Sequence, residues 1–500
     1  MLKGIKCLLF VFCFFCVGDL ASQTVIGSQS NYAGSNAVSM NPASLTTSNL
    51  YFDVGFMGVG LSIYNDYAYI MGKDVLKTAM TMGDYIPTYN VNGRNRNYLT
   101  YKNHKHRPIN LYESFDLGLF NMMFNIGDIQ AVGLSLNMRA YTSATKIPWE
   151  LPEAFLDSIG TTDIYDRDFR AKRSMLSTLE WAELALTYST TIYERYNHKL
   201  DVGMSLKYLI GYSAAVAKVN KLNYEIPEQQ SISINEFDFD AAAALPIDYD
   251  APIESSNFID KGLNRGSGLS VDLGFVYTRT QNKVIRRKTR DFHNYDWISF
   301  RTRVYYKWRV GFSLMDFGYI RFNNNAIVHH FYADNSMEFD AKGLENIETF
   351  NGLLEYVSES YYDGDSEKSL VGRNFVMGLP TTLRAQFDYN LYKSFYVNAS
   401  IIQPIRLFKY SVMAAPRLMV EPRYESKYFD FALPVTLYKY KFLRLGASMR
   451  IGFLTIGTEK IANYLGLGKT NGMDFYMSLK FNLSKSDKAG NRYGACWSIF

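Results

Sequence analysis

Beyond its first twenty residues the chain lacks any run of about 20 apolar residues, the length a helix needs to cross a bilayer. Cysteine is nearly absent as well: Cys7, Cys13, Cys16 and Cys496 are the full set. Three of them sit in an N-terminal stretch with a positive start (Lys3, Lys6), an apolar body from Cys7 to Val17 and a small pair, Ala21-Ser22, before Gln23. That pattern predicts a secretory signal peptide over residues 1–22. Its removal leaves one thiol, which excludes an internal disulfide and a cysteine zinc site. Phenylalanine precedes both Cys13 and Cys16, so lipidation is not expected. Charge of one sign is also lacking: a net charge of +5 over 500 residues gives no case for a nucleic-acid partner.

Aromatic residues are plentiful. They make up 16% of the chain, with 39 Tyr and 34 Phe, yet the mean hydropathy is only -0.15. Segments apolar on one side only reconcile the two figures. After residue 50 the pattern is period-two alternation, repeated many times. Leu200, Val202, Met204, Leu206 and Tyr208 share one face against Asp201, Gly203, Ser205 and Lys207. Val304, Tyr306, Trp308, Val310 and Phe312 likewise oppose Tyr305, Lys307, Arg309 and Gly311, and Leu443–Phe453 and Met473–Leu483 repeat the scheme. Such segments run about 10 residues, enough to cross a bilayer at a tilt of about 45°. Only a closed barrel satisfies backbone donors and acceptors in lipid.

The expected fold is therefore all-β: a closed antiparallel transmembrane β-barrel spanning residues 50–483. Long connections over about 64–111, 143–175, 214–266 and 316–373 alternate with short turns, the asymmetry of outer-membrane barrels; the basic stretch near 281–302 departs from it. Thirteen candidate strands can be placed, and because such barrels use even numbers about 14 are expected, within 12–16. Residues 484–500 form either a tail or, through Arg492–Phe500, a closing strand.

Asn31–Ser44, with Asn41-Pro42-Ala43 at its heart and a Gly-rich strand after it, resembles the N-terminus of FadL-like and PorV-like barrels. Asp272-Leu273-Gly274, Asp316-Phe317-Gly318, Leu379-Pro380, Asp388-Tyr389-Asn390, Pro422-Arg423-Tyr424-Glu425 and Asp474-Phe475-Tyr476 resemble an uncharacterised group of Bacteroidota outer-membrane barrels of that superfamily. The resemblance covers nearly the whole mature chain. It implies a barrel of about 14 strands with residues 23–49 as an N-terminal plug, in the outer membrane of a Gram-negative bacterium. It implies no substrate.

Candidate functional residues follow. Asn41, Pro42 and Ala43 are the expected gate, since Pro42 lacks a donor and restrains its neighbours; a structural cap is the plainer alternative. The inward faces should carry Asp116, Arg139, Glu183, Lys207, Asp272, Lys307, Arg309, Arg384, Asp388, Arg444, Arg450 and Lys480, either selecting solutes by charge or simply pairing across strands. Isolated charges in a narrow lumen would be costly. His104, His106, His198, His293, His329 and His330 show no ligand spacing for a metal. Glu236, Asp238, Asp240, Asp248, Asp250 and Glu254 read as a solvated outer loop or a weak ion bridge to lipid. Lys283, Arg286, Arg287, Lys288 and Arg290 read as a solvated turn or a contact for anionic lipid or a partner. No catalytic frame is recognisable, and no enzyme activity, cofactor or metal is expected. Two functions remain open: passive transport of a hydrophobic or amphipathic small molecule past the plug, or a PorV-like scaffold holding exported proteins by its loops. The expected partners are outer-membrane lipid and lipopolysaccharide, the barrel-assembly machinery, and a small apolar ligand or an exported protein.

Overall fold

The computed structural model describes residues 28–81, 84–91, 94–101, 107–126, 129–152, 167–227, 231–252, 264–281, 305–333, 337–340, 347–362 and 365–484. The signal peptide, residues 23–27, the basic stretch at 283–290, His104, His106, His293, Glu254 and residues 485–500 lie outside them.

The alternating segments form one closed antiparallel sheet, a transmembrane β-barrel. Joined end to end where a stave is interrupted, its strands make 14 staves. These are β1 (Leu50–Asn65), β2 (Ile109–Ile126), β3 (Gln130–Ile147), β4 (Asp168–Arg195) and β5 (His198–Glu225). Then come β6 (Ser231–Ala244 and Gly266–Thr280), β7 (Tyr306–Phe322, Ala326–Ala333 and Met337–Asp340) and β8 (Leu370–Gly372, Phe375–Gly378 and Thr382–Tyr392). The wall continues with β9 (Phe395–Pro404), β10 (Arg417–Glu425), β11 (Phe429–Ala432 and Val435–Tyr438) and β12 (Phe442–Leu445 and Ala447–Ile451). It finishes with β13 (Leu454–Thr458) and β14 (Asp474–Ser484). The last stave pairs with the first, Ser484 opposite Leu50 and Asp474 opposite Ser62, so the wall closes without Arg492–Phe500. The strand the alternation missed is β13, five residues and too short to show a period.

Burial is inverted relative to a soluble domain. Leu184, Leu186 and Tyr188, with Met204, Leu206 and Tyr208 beside them, are exposed on the outside. Between them, Glu183, Thr187, Ser189, Ser205 and Lys207 are buried on the inside. An apolar belt of this kind is stable only against lipid, since large exposed apolar surfaces are rare in soluble monomers.

The expected long connections are partly strand. The segment 214–266, expected as a loop, continues β5 to Glu225 and adds Ser231–Ala244, where Glu236, Asp238 and Asp240 lie on a strand rather than in a loop. Staves β4 and β5 are each 28 residues. About 10 cross the bilayer, and the rest extends roughly 60 Å along the ribbon at about 3.3 Å per residue. This extension packs its own apolar cluster of Tyr67, Ile109, Trp149, Ala171, Tyr224 and Ile226. The expected strand at 411–424 starts only at Arg417, because residues 405–416 turn into the barrel. Lys307, expected inside, is exposed, while Tyr306 is buried. A register shift between Arg279 and Thr280 against Trp308 and Tyr306 leaves Lys307 as the extra residue and reverses the faces. Breaks in β8 and β11 fall at Pro380 and Pro434, which cannot donate to a ladder.

Candidate functional site

The lumen is filled from the short-turn end by residues 28–49. A 3-10 turn, Gly34–Ser39, and a single helical turn, Ser44–Thr47, flank Asn41-Pro42-Ala43. Asn41 folds its side chain back, with Oδ1 accepting from Ala43 N at 3.0 Å. Its Nδ2 donates to two wall carbonyls, Phe275 O and Phe312 O, each at 3.1 Å. The wall makes room with glycine. A Cβ on Gly203 would lie 2.4 Å from Ala43 N, and one on Gly274 would lie 2.2 Å from Asn41 Oδ1. Around this slot Ser313 Oγ donates to Met40 O at 2.7 Å, Ser189 Oγ donates to Ala43 O at 3.2 Å, and Arg384 donates to Ser39 O. Nearer the mouth, Asn31 Nδ2 donates to Glu425 Oε2 at 2.7 Å and Ser35 N to Asp53 Oδ2 at 2.7 Å. Lys480 donates to Ala33 O.

The remaining lumen is laced with buried ion pairs. Arg139 reaches Asp116 at 2.6 Å, Asp316 at 2.9 Å and Glu183 at 3.3 Å. Lys207 reaches Asp316 at 2.7 Å and Asp272 at 2.8 Å. Asp316, not among the expected residues, joins both cations. It sits at a register shift in β7 with φ +56, and that bulge aims its carboxylate inward. A second group gathers on Asp388, reached by Arg423 at 2.7 Å and Arg309 at 2.8 Å, with Tyr306 Oη donating at 2.7 Å; Arg423 also pairs with Glu425. Arg450 pairs with Asp430 at 2.7 Å, Arg444 with Glu459 at 3.4 Å and Lys480 with Asp53 at 3.5 Å. Arg384 differs. It donates to Thr382 Oγ1 and to the plug carbonyl of Ser39, and no carboxylate of the described residues lies within ion-pair distance.

A second seal was not legible in the sequence. Residues 405–416, between β9 and β10, enter the barrel from the long-loop end. Gly378 N donates to Tyr410 O at 2.9 Å, Met413 N to Ser143 Oγ at 3.0 Å, and Ser177 Oγ to Ser411 O at 3.2 Å. Tyr410 and Val412 join an apolar cluster with Trp181, Leu209, Phe322 and Met377. Between the two seals lies a chamber of about 110 Å³, bounded by Ser35 and Ser39 on one side and Met413 and Ala414 on the other.

Lys409 tethers this outer seal to Asp240 at 3.1 Å, and His330 Nδ1 lies 3.0 Å from the same carboxylate. Burial would raise the Asp240 carboxyl, but Lys409, His330 and Asn220 together hold it below the usual carboxylate range. A depressed folded-state value stabilises the folded form above the unfolded value, near 4, and the benefit disappears as pH falls through the folded value. Proteolysis with pepsin at pH 2–4 should therefore show cleavage within 405–416 increasing toward the acid end. A flat profile would contradict the tether. His329 bonds Ser369 at 2.9 Å and His198 lies against Tyr277. Among the described residues no group of three or more His, Cys, Asp or Glu could hold a metal.

Outside the wall lies an apolar recess of about 790 Å³, lined by Tyr188, Met204, Leu273, Phe275, Phe312, Leu383 and Ile401 among others. Gly203, Gly274, Ser313 and Arg384 also line it. All four meet the plug on their inner side.

The model of a family described as "Family of unknown function (DUF5723)" matches residues 42–459. No curated protein matches the chain. Among solved structures, a TodX monoaromatic hydrocarbon channel carrying the deltaS2S3 mutation is similar at 8% identity and TM-score 0.39, over 91% of this chain and 95% of that one. A Pseudomonas aeruginosa FadL homologue is similar at 11% identity and TM-score 0.28, again over 91% and 95%. The Ralstonia pickettii toluene transporter TbuX is similar at 8% identity and TM-score 0.28, over 91% and 95%.

Proposed function

The chain belongs to the family of unknown function DUF5723, a membership that assigns no activity, and we propose that it is a plugged outer-membrane transporter for a hydrophobic or amphipathic small molecule. The observation that supports this reading is the thin wall between recess and plug. Four residues, Gly203, Gly274, Ser313 and Arg384, face an apolar hollow on one side and Ser39–Ala43 on the other. A pocket of this volume suits a drug-sized apolar ligand. The plug is clasped there by hydrogen bonds to wall backbone, a reversible fastening, so its withdrawal would join the hollow to the lumen across one backbone thickness.

Asn41→Leu removes both bonds to Phe275 O and Phe312 O. Leaving buried acceptors unsatisfied costs about 1–3 kcal/mol, roughly tenfold or more in the closed-to-open ratio. In proteoliposomes the variant should speed the entry of the lipophilic dye N-phenyl-1-naphthylamine, and Ala385→Trp, which fills the recess, should reverse the gain. Dye entry equal to that of empty liposomes in both wild type and Asn41→Leu would rule out transport.

A scaffold resembling PorV is the second reading, and the tall packed extension of β4, β5 and the outer part of β6 favours it. Exported proteins bound in fixed ratio after purification, with no dye entry, would decide for it.

A further inference from the structure

A second hollow opens at the short-turn mouth, the periplasmic end by the loop asymmetry of such barrels. It encloses about 870 Å³. Lys307 at the start of β7 and Lys393 and Lys427 in two turns line it, with Tyr305, Tyr389 and Tyr392 between them. None of the three ammonium groups has a carboxylate of the described residues within ion-pair distance; Lys393 and Lys427 lie instead over the rings of Tyr392 and Tyr428. The nearby acids are already engaged. Glu425 is held by Arg423 and Asn31, Asp388 by Arg309 and Arg423, and Asp430 by Arg450. Among the described residues the cleft is thus a positive surface whose lining acid, Glu425, is already paired with Arg423. Gln281 and Tyr305, which bracket the basic stretch, both line it.

We propose that this cleft docks an acidic, extended peptide segment of a periplasmic partner protein. Charge complementarity sets the sign of the partner, and tyrosines provide broad contact at low entropic cost. The cleft runs from the exposed Lys307 at the rim to Tyr32 and Asn49 of the plug and the buried Tyr396, a depth that an extended chain can follow and a flat leaflet surface cannot. A soluble chain therefore fits better than a leaflet surface. Because Tyr32 adjoins Asn31, an occupant also touches the plug at its clasp on Glu425. The inference is independent of the transport reading.

The test uses the full chain in uncharged detergent and a fluorescent hexaglutamate peptide, followed by anisotropy. Binding should weaken with salt, as exposed charge interactions do, and hexalysine should not bind. The triple variant Lys307→Gln/Lys393→Gln/Lys427→Gln should lose at least about tenfold in affinity while keeping the compact gel mobility of the folded barrel. Lys393→Arg should retain binding. Unchanged affinity in the triple variant, or loss only when the basic residues of 282–304 are neutralised, would overturn the proposal. So would complete displacement by phosphatidylglycerol vesicles, which marks a headgroup site, or by millimolar inorganic phosphate, which marks an unselective anion site.

Discussion

Replacing Arg139 by Met should cost the folded barrel about 3–5 kcal/mol, the range for removing one partner of a buried ion pair. Among the described residues Arg139 is the only cation that touches Asp116, Glu183 and Asp316 together, at 2.6, 3.3 and 2.9 Å, and its side chain is 6% exposed. Without it the group keeps Lys207, which reaches Asp316 and Asp272, and Asp116 loses its ion pair while keeping the Tyr141 hydroxyl. Methionine fills much of the volume, so packing loss is a minor part. A urea titration of the refolded protein in lipid vesicles, read by the shift between folded and unfolded gel mobility, measures the cost. Adding Asp316→Leu should make the double variant less unstable than the sum of the singles, since the two side chains share one network. A cost under about 1 kcal/mol would show a network screened by water, as in exposed pairs.

Gly274→Val should evict the plug without opening the barrel. The added Cβ falls 2.2 Å from Asn41 Oδ1 and 2.9 Å from Asn41 Cγ, a clash the plug cannot relieve while Nδ2 stays on Phe275 O and Phe312 O. Valine is otherwise well suited to a strand. Proteinase K added from the periplasmic side should then cut within residues 28–49, which are buried or half-buried in the intact protein. Conductance in planar bilayers should nevertheless stay near zero, because residues 405–416 still close the far end. Only the combination of Gly274→Val with replacement of 406–415 by a short Gly-Ser linker should pass ions. Current through the single variant would show that the outer seal does not hold. Protection of 28–49 in Gly274→Val would show that the slot is not what seats the plug.

How much of this was legible depended on the length scale of the signal. Alternation located the long staves because one face meets lipid and the other a polar lumen. It failed where a stave is short, as in β13, or where both faces are covered, as at Ala214–Val216 and Ala242–Leu245, which are buried on every side. There the two-residue period disappears, and the segment reads as loop. Charge parity follows the same alternation: Lys207 and Asp272 are buried on the inner face, and the parity reverses at the bulge that leaves Lys307 unpaired in the ladder. The key acid Asp316 and the pair Arg423–Glu425 had been noted only as parts of short family-like motifs. Their roles depend on an irregular backbone and on neighbours up to four staves away, which no local pattern encodes. The outer seal at 405–416 left no trace at all, since a loop that dives inward has the composition of any other loop.

Lys480 has a consequence for how the protein is made. Standing on the final stave, it touches Asp53 of the opening stave and the carbonyl of Ala33 in the filling. The chain's two far ends are thus buttoned by a single ammonium group. Closing the cylinder and seating its contents meet at one side chain, and a molecule emptied of its N-terminal filling should keep its backbone seam while this ammonium group is left with Asp53 alone of those two contacts.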